Sequence, residues 1–172
     1  MSIADAAAAA VLYWSREDAI KMVAIAGPES SYDPRAKGDH ILNFSPADRV
    51  KYDPYDCDGY LSFGYWQIFQ GVHHSKLRVA TYSNNPCVWR DYLFVPVNNA
   101  RTAYQVWVEQ GFAAWTAYND RSYLAYMAAA EAAVDEALGP RPPVVVPLPP
   151  AVVPPSAAVA PPPAPVPPPP SL

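Results

Sequence analysis

The sequence predicts a mainly α domain carrying a small loop and β-hairpin lobe, followed by an extended Pro-rich tail. Three observations lead there. Of the 22 prolines, 16 lie between Pro140 and Pro170, whereas all 22 aromatic residues lie between Tyr13 and Tyr126. Apolar residues recur at helical spacing on both sides of residues 30–61. Residues 30–61 themselves are polar and rich in turn signals. Residues 1–138 therefore read as one domain, long enough for a sizeable core, and residues 139–172 as a tail.

The elements follow in order. Residues 3–14 are helix-like and end in the apolar pair Leu12 and Tyr13. Ser15 is a good N-cap with Asp18 three residues on, and Ile20, Val23 and Ala24 share one helical face. Gly27-Pro28 predicts that this second helix ends near Ala26. Between residues 30 and 61 the turns Asp33-Pro34, Lys37-Gly38, Ser45-Pro46, Asp53-Pro54 and Asp58-Gly59 predict a long ordered loop with some short strand pairing. A helix is expected near residues 73–82 and another within Cys87–Phe94. Pro96 suits the first turn of a stronger helix with Val97, Ala100, Tyr104 and Trp107 as its stripe and Gly111 as its cap. Phe112–Tyr118 is short and aromatic. Ser122 is expected to cap a last helix reaching about Leu138, where Gly139-Pro140 stops it. The tail beyond Pro142 has only Pro, Val, Ala, Leu and Ser, a composition for polyproline II or an extended linker.

Charge narrows the function. The formal net charge is −4, and all 16 acids fall between Asp5 and Glu136. That argues against a nucleic-acid partner and against attraction to anionic membranes. No apolar run is long enough to span a bilayer, and MSIADAAAAAVLYW lacks a basic n-region, so no signal peptide is expected. Cys57 and Cys87 could pair once, but two cysteines do not make a disulfide scaffold, and free or buried thiols are the expectation. No Cys/His spacing fits zinc, and Asp53, Asp56 and Asp58 fail the calcium-loop pattern, so neither a metal nor a cofactor is expected.

Glu29 is the sharpest chemical feature. A carboxyl at the end of a core-packed helix loses solvation, which keeps it protonated near neutral pH as a general acid requires. A glycosidic bond needs such an acid, and aromatic side chains suit the apolar faces of sugar rings.

Three segments then carry a family resemblance. They are Ala24-Ile25-Ala26-Gly27-Pro28-Glu29-Ser30 with Pro34 and Ala36, then Ser62-Phe63-Gly64-Tyr65-Trp66-Gln67-Ile68, and finally Asn99-Ala100 with Gly111-Phe112, Trp115 and Tyr118. In order and spacing they resemble the lysozyme-like superfamily, nearest to goose-type lysozymes, soluble lytic transglycosylases and bacteriophage murein-degrading domains. The likeness covers about residues 16–127. It implies an α+β lysozyme-like fold in which Glu29 is the catalytic acid. By the same resemblance, Ser62 and Gln67 border the cleft, Gly64 lets backbone and glycan approach closely, and Tyr118 lines the cleft near Glu29. Gly27-Pro28 departs from the small helical residues that usually precede the Glu, and the loop from Ala36 to Ser62 is longer than in many phage members.

The resemblance implies cleavage of the MurNAc-GlcNAc bond of bacterial peptidoglycan. Its motifs are shared by hydrolases and lytic transglycosylases. Because no aspartate here matches a family motif, the expectation is a lytic transglycosylase, which manages with one Glu. The alternative is a hydrolytic lysozyme or endolysin. Its second carboxylate would be Asp39, first among Asp33, Asp39, Asp48, Asp53, Asp56 and Asp58. A further alternative is a non-catalytic virion adaptor that binds glycan, and a more distant one is chitin hydrolysis. The expected setting is a phage virion acting on the host cell wall and periplasm, with the Pro-rich tail as linker or anchor to virion proteins.

Overall fold

In the computed structural model, residues 2–139 are described; the Pro-rich tail lies outside them. The chain is mainly helical with one small three-stranded antiparallel sheet, as the composition and periodicity predict.

Helix α1 (Ile3–Ala10) and α2 (Arg16–Ser30) open the chain. Ser15 caps α2 by accepting a hydrogen bond from the Asp18 amide. Nearly every residue from Ala19 to Gly27 is buried, so α2 is the central helix, hydrophobic all round in its middle. It does not stop at Ala26. It runs to Ser30 with Pro28 inside it. Proline removes one N–H and so one rung of the helical ladder. The Ser30 hydroxyl donates to the Ala26 carbonyl at 2.9 Å, and the Ser31 amide closes on the Gly27 carbonyl at 2.7 Å. Gly27 serves packing and not termination: a Cβ there would meet the Tyr126 ring at 2.4 Å.

The β lobe follows. Strand β1 (Lys37–His40) pairs with β2 (Tyr60–Phe63), with Gly38 opposite Ser62, and β2 pairs with β3 (Ile68–Phe69). Between β1 and β2 lies α3 (Pro46–Tyr52), which the turn reading missed. Ser45 caps it and Pro46 fills its first turn, a pairing that starts helices as readily as turns.

Four longer elements complete the domain: α4 (Gln70–Thr81), α5 (Pro86–Leu93), α6 (Pro96–Gln110) and α8 (Met127–Leu138). The short α7 (Thr116–Asn119) sits before α8. Gly111 ends α6 as expected. Ser122 does not cap the last helix; it starts a 3-10 turn, Ser122–Tyr126, that leads into α8. Helices α1 and α8 pack on α2, and buried alanines on both (Ala6, Ala7, Ala10, Ala130, Ala133) let the helices sit close. On the α6 side, Trp14, Trp66, Tyr104 and Trp107 form a tilted and edge-to-face aromatic cluster.

Cys57 and Cys87 are not free thiols. They form a disulfide that joins the turn before β2 to the first turn of α5. Sequence reading could not fix this, because the two residues are 30 positions apart and only the fold brings them together. Asp58 reinforces the joint through ion pairs with Arg90 of α5 and Lys37 of β1.

Candidate active site

A cleft of about 290 Å³ opens between the end of α2, the β lobe and the segment after α6. Glu29, Asp39, Ser62 and Gln67 all line it. Four of the six residues singled out from the sequence thus converge on one opening.

Each is held by a separate device. Glu29 projects from the last turn of α2, half-buried, and its Oε1 accepts a hydrogen bond from the Ala117 amide at 3.1 Å. Burial pushes its carboxyl above the ordinary carboxylate range. The Ala117 amide opposes that push, while the charges of Asp39 and Asp120 add to it. Desolvation is the largest contribution, so the neutral acid is favoured.

Asp39 lies on β1 and accepts a hydrogen bond from the hydroxyl of Ser62 on the paired strand β2. Ser62 is 1% exposed, so it acts mainly as a support for Asp39. Gln67 donates from Nε2 to the Gly64 carbonyl at 2.9 Å. Its other amide atom lies against Gly38, where a Cβ would come within 2.2 Å. Gly38 is a residue that sequence reading took for a turn signal alone. Here its missing side chain leaves room for Gln67.

The backbone around the cleft is unusual. Ser31, Tyr32, Asp39 and Gln67 all have positive φ, between 44° and 58°, although none is glycine. Non-glycine residues in the left-handed region cost energy and gather where a fold holds side chains for a purpose.

Two predicted residues sit elsewhere. Gly64 does not line the cleft. Its φ is +81°, and a Cβ would meet the Asn99 amide at 2.3 Å and the Leu93 carbonyl at 2.7 Å. Its bareness serves an internal contact, not approach of a glycan. Tyr118 is also absent from the lining; its ring stacks between Phe112 and Tyr123. The neighbouring Ala117 reaches Glu29 instead, through a backbone amide that no side-chain motif reveals.

Asn99 holds the turn after β2. It is fully buried, accepts from the Trp66 amide at 3.0 Å and donates to the Phe63 carbonyl at 3.0 Å. The Trp66 indole donates to the Met22 carbonyl of α2, and the Trp115 indole donates to the Trp66 carbonyl. These bonds tie α2, the turn after β2, Asn99 of α6 and Trp115 together.

Phe69, His73, Gln110 and Trp115 complete much of the wall. His73 is a residue the motifs did not flag for this site. Burial, with nearby Lys76, pushes its imidazole below the usual range, so it is neutral at pH 7. Among the other aspartates considered, Asp33 accepts from the Arg35 amide, Asp48 pairs with Ser45, and Asp58 bridges Lys37 and Arg90. None of them lines the cleft.

Cys57, Asp58 and Cys87 cluster closely enough to suggest metal ligands, but the two sulfurs are bonded to each other and offer no thiolate. No helix among the described residues is long and apolar enough to cross a membrane. Comparisons with known protein families, curated proteins and solved structures find no match to the chain.

Proposed function

We propose that this chain is a lysozyme-like enzyme that cleaves the MurNAc-GlcNAc β-1,4 bond of bacterial peptidoglycan, with Glu29 as general acid and then base. One observation carries the reading. Glu29 is half-buried in a cleft, burial raises its carboxyl above the ordinary range, and the same cleft holds Asp39 and Gln67. A neutral carboxyl beside an opening lined by aromatic and polar groups can protonate a glycosidic oxygen and let the leaving sugar depart.

In the lytic transglycosylase form, Glu29 gives its proton to the leaving oxygen as the C1–O bond breaks. The resulting carboxylate then takes the proton of the muramoyl 6-hydroxyl, whose oxygen bonds to C1 to close a 1,6-anhydro ring. No water is consumed and no second carboxylate is required. The hydrolytic form is favoured by a specific observation, the presence of Asp39 on the same cleft wall system as Glu29. There Asp39 would direct water to C1 or stabilise the cationic sugar. Delivery in a phage particle, with the Pro-rich tail meeting virion proteins, belongs to the same proposal and is supported by composition.

The test is digestion of purified peptidoglycan, with Glu29→Gln as control, and mass measurement of the released muropeptides. Products ending in 1,6-anhydromuramic acid identify the transglycosylase. Products one water heavier identify the hydrolase and make Asp39 the next residue to replace. No release by the unaltered protein overturns the enzyme and leaves the glycan-binding adaptor.

A further inference from the structure

Across α4 from the cleft, the surface has a second feature that folding does not account for. His73 faces the Glu29 cleft, but His74, Arg78 and Tyr82 line two hollows on the other side, of about 320 and 460 Å³. The hollows share Arg78 and Asn84, and neither has a lining residue in common with the cleft.

Tyr82 is the anomaly. It occupies the position after the last turn of α4 with φ +53°, where glycine or asparagine is the favoured residue. Its side chain is 97% exposed and packs on nothing that would offset the strain. Arg78, one turn earlier, makes no ion pair among the described residues, and no acid lines either hollow, in a chain of net charge −4. Asn84 adds an amide between the two hollows. An exposed ring, an unpaired guanidinium and an amide are the parts that hold a sugar face and a carboxylate together.

We propose that the Arg78–Tyr82–Asn84 surface is a second binding site for an acidic glycan: a sugar ring stacks on Tyr82 and its carboxylate pairs with Arg78. The identity of that glycan as peptidoglycan rests on the function proposed above; the site itself does not need Glu29. Bound there, a strand is retained between cuts at the cleft across α4.

The test uses full-length Glu29→Gln, which leaves the polymer intact, in sedimentation with insoluble peptidoglycan and, as a neutral comparison, chitin. Tyr82→Gly removes the ring at a position glycine prefers, so the fold is kept and Tm holds or rises. We expect about fivefold to tenfold weaker peptidoglycan binding from Tyr82→Gly. Arg78→Gln is expected to weaken binding to peptidoglycan while leaving binding to chitin unchanged. Binding that is equal in the parent and Tyr82→Gly overturns the proposal, as does the absence of binding to either polymer. Tyr82-dependent binding, together with no muropeptide release by the unaltered protein, upholds this site and rejects the catalytic reading, so the two fail separately.

Discussion

The backbone amide of Ala117 donates a 3.1 Å hydrogen bond to Oε1 of Glu29, a residue 88 positions earlier in the chain. The bond fixes where the carboxyl points and favours its charged form. Burial favours the neutral form and prevails. Glu29 is thus oriented by one group, while the rest of its surroundings raise its carboxyl above the ordinary value.

Glu29→Gln should abolish most activity, by roughly 10²–10⁴-fold if Glu29 is the general acid. The same change should stabilise the fold at neutral pH. The native state holds the Glu29 proton more tightly than the unfolded chain, whose value is near 4.5. Stability therefore falls as pH rises from that value through the higher native one, and stays lower above it. Thermal melts of both proteins across pH should coincide in acid and separate toward neutrality, with the Gln variant higher.

Asp39→Asn removes a negative charge that raises the Glu29 value. Glu29 then ionises at lower pH, and the alkaline limb of the pH–rate profile should move to lower pH. A transglycosylase should keep much of its maximal rate, whereas a hydrolase that relies on Asp39 should lose most of it. The profile measured on one soluble glycan separates the two.

Gly64→Ala forces a Cβ against the Asn99 amide in a left-handed backbone. The expected cost is about 2 kcal/mol or more. Asn99→Ala strands the Trp66 amide and the Phe63 carbonyl, at a similar cost of about 2 kcal/mol or more. Combined, the two changes should cost less than their sum, because the smaller side chain at 99 relieves the clash at 64. Urea unfolding of the two single variants and the double variant measures this.

Replacing Cys57 and Cys87 by Ser opens a loop spanning 30 positions. Loop-closure entropy predicts a loss of roughly 3–4 kcal/mol. The denaturation midpoint of the unaltered protein should fall comparably in reducing agent, and that of the double Ser variant should not respond.

The fold was legible where local pattern decides: the cap at Ser15, the start of α6 at Pro96, and the Gly111 stop. It was misread where tertiary contact overrides a local signal. Gly27-Pro28 reads as a stop, yet packing against Tyr126 and the Ser30 bond carry α2 onward. Ser45-Pro46 reads as a turn and is a helix start. Of the residues named from the sequence, Glu29 stands out by its chemistry, Asp39 by its turn, and Ser62 and Gln67 by the resemblance, and the fold brings these four to one cleft. Ala117 acts through its backbone, Gly38 through its missing side chain and His73 through burial, so none carries a motif.

The cleft takes its walls from residue 29, from residues 38–73 and from residues 106–116. During synthesis these pieces emerge at different times. A chain that has reached only α6 already carries Glu29, but neither the Ala117 amide nor the wall at Trp115 exists yet. The raised carboxyl belongs to the finished domain and not to the residue, so an incomplete product released early would lack it.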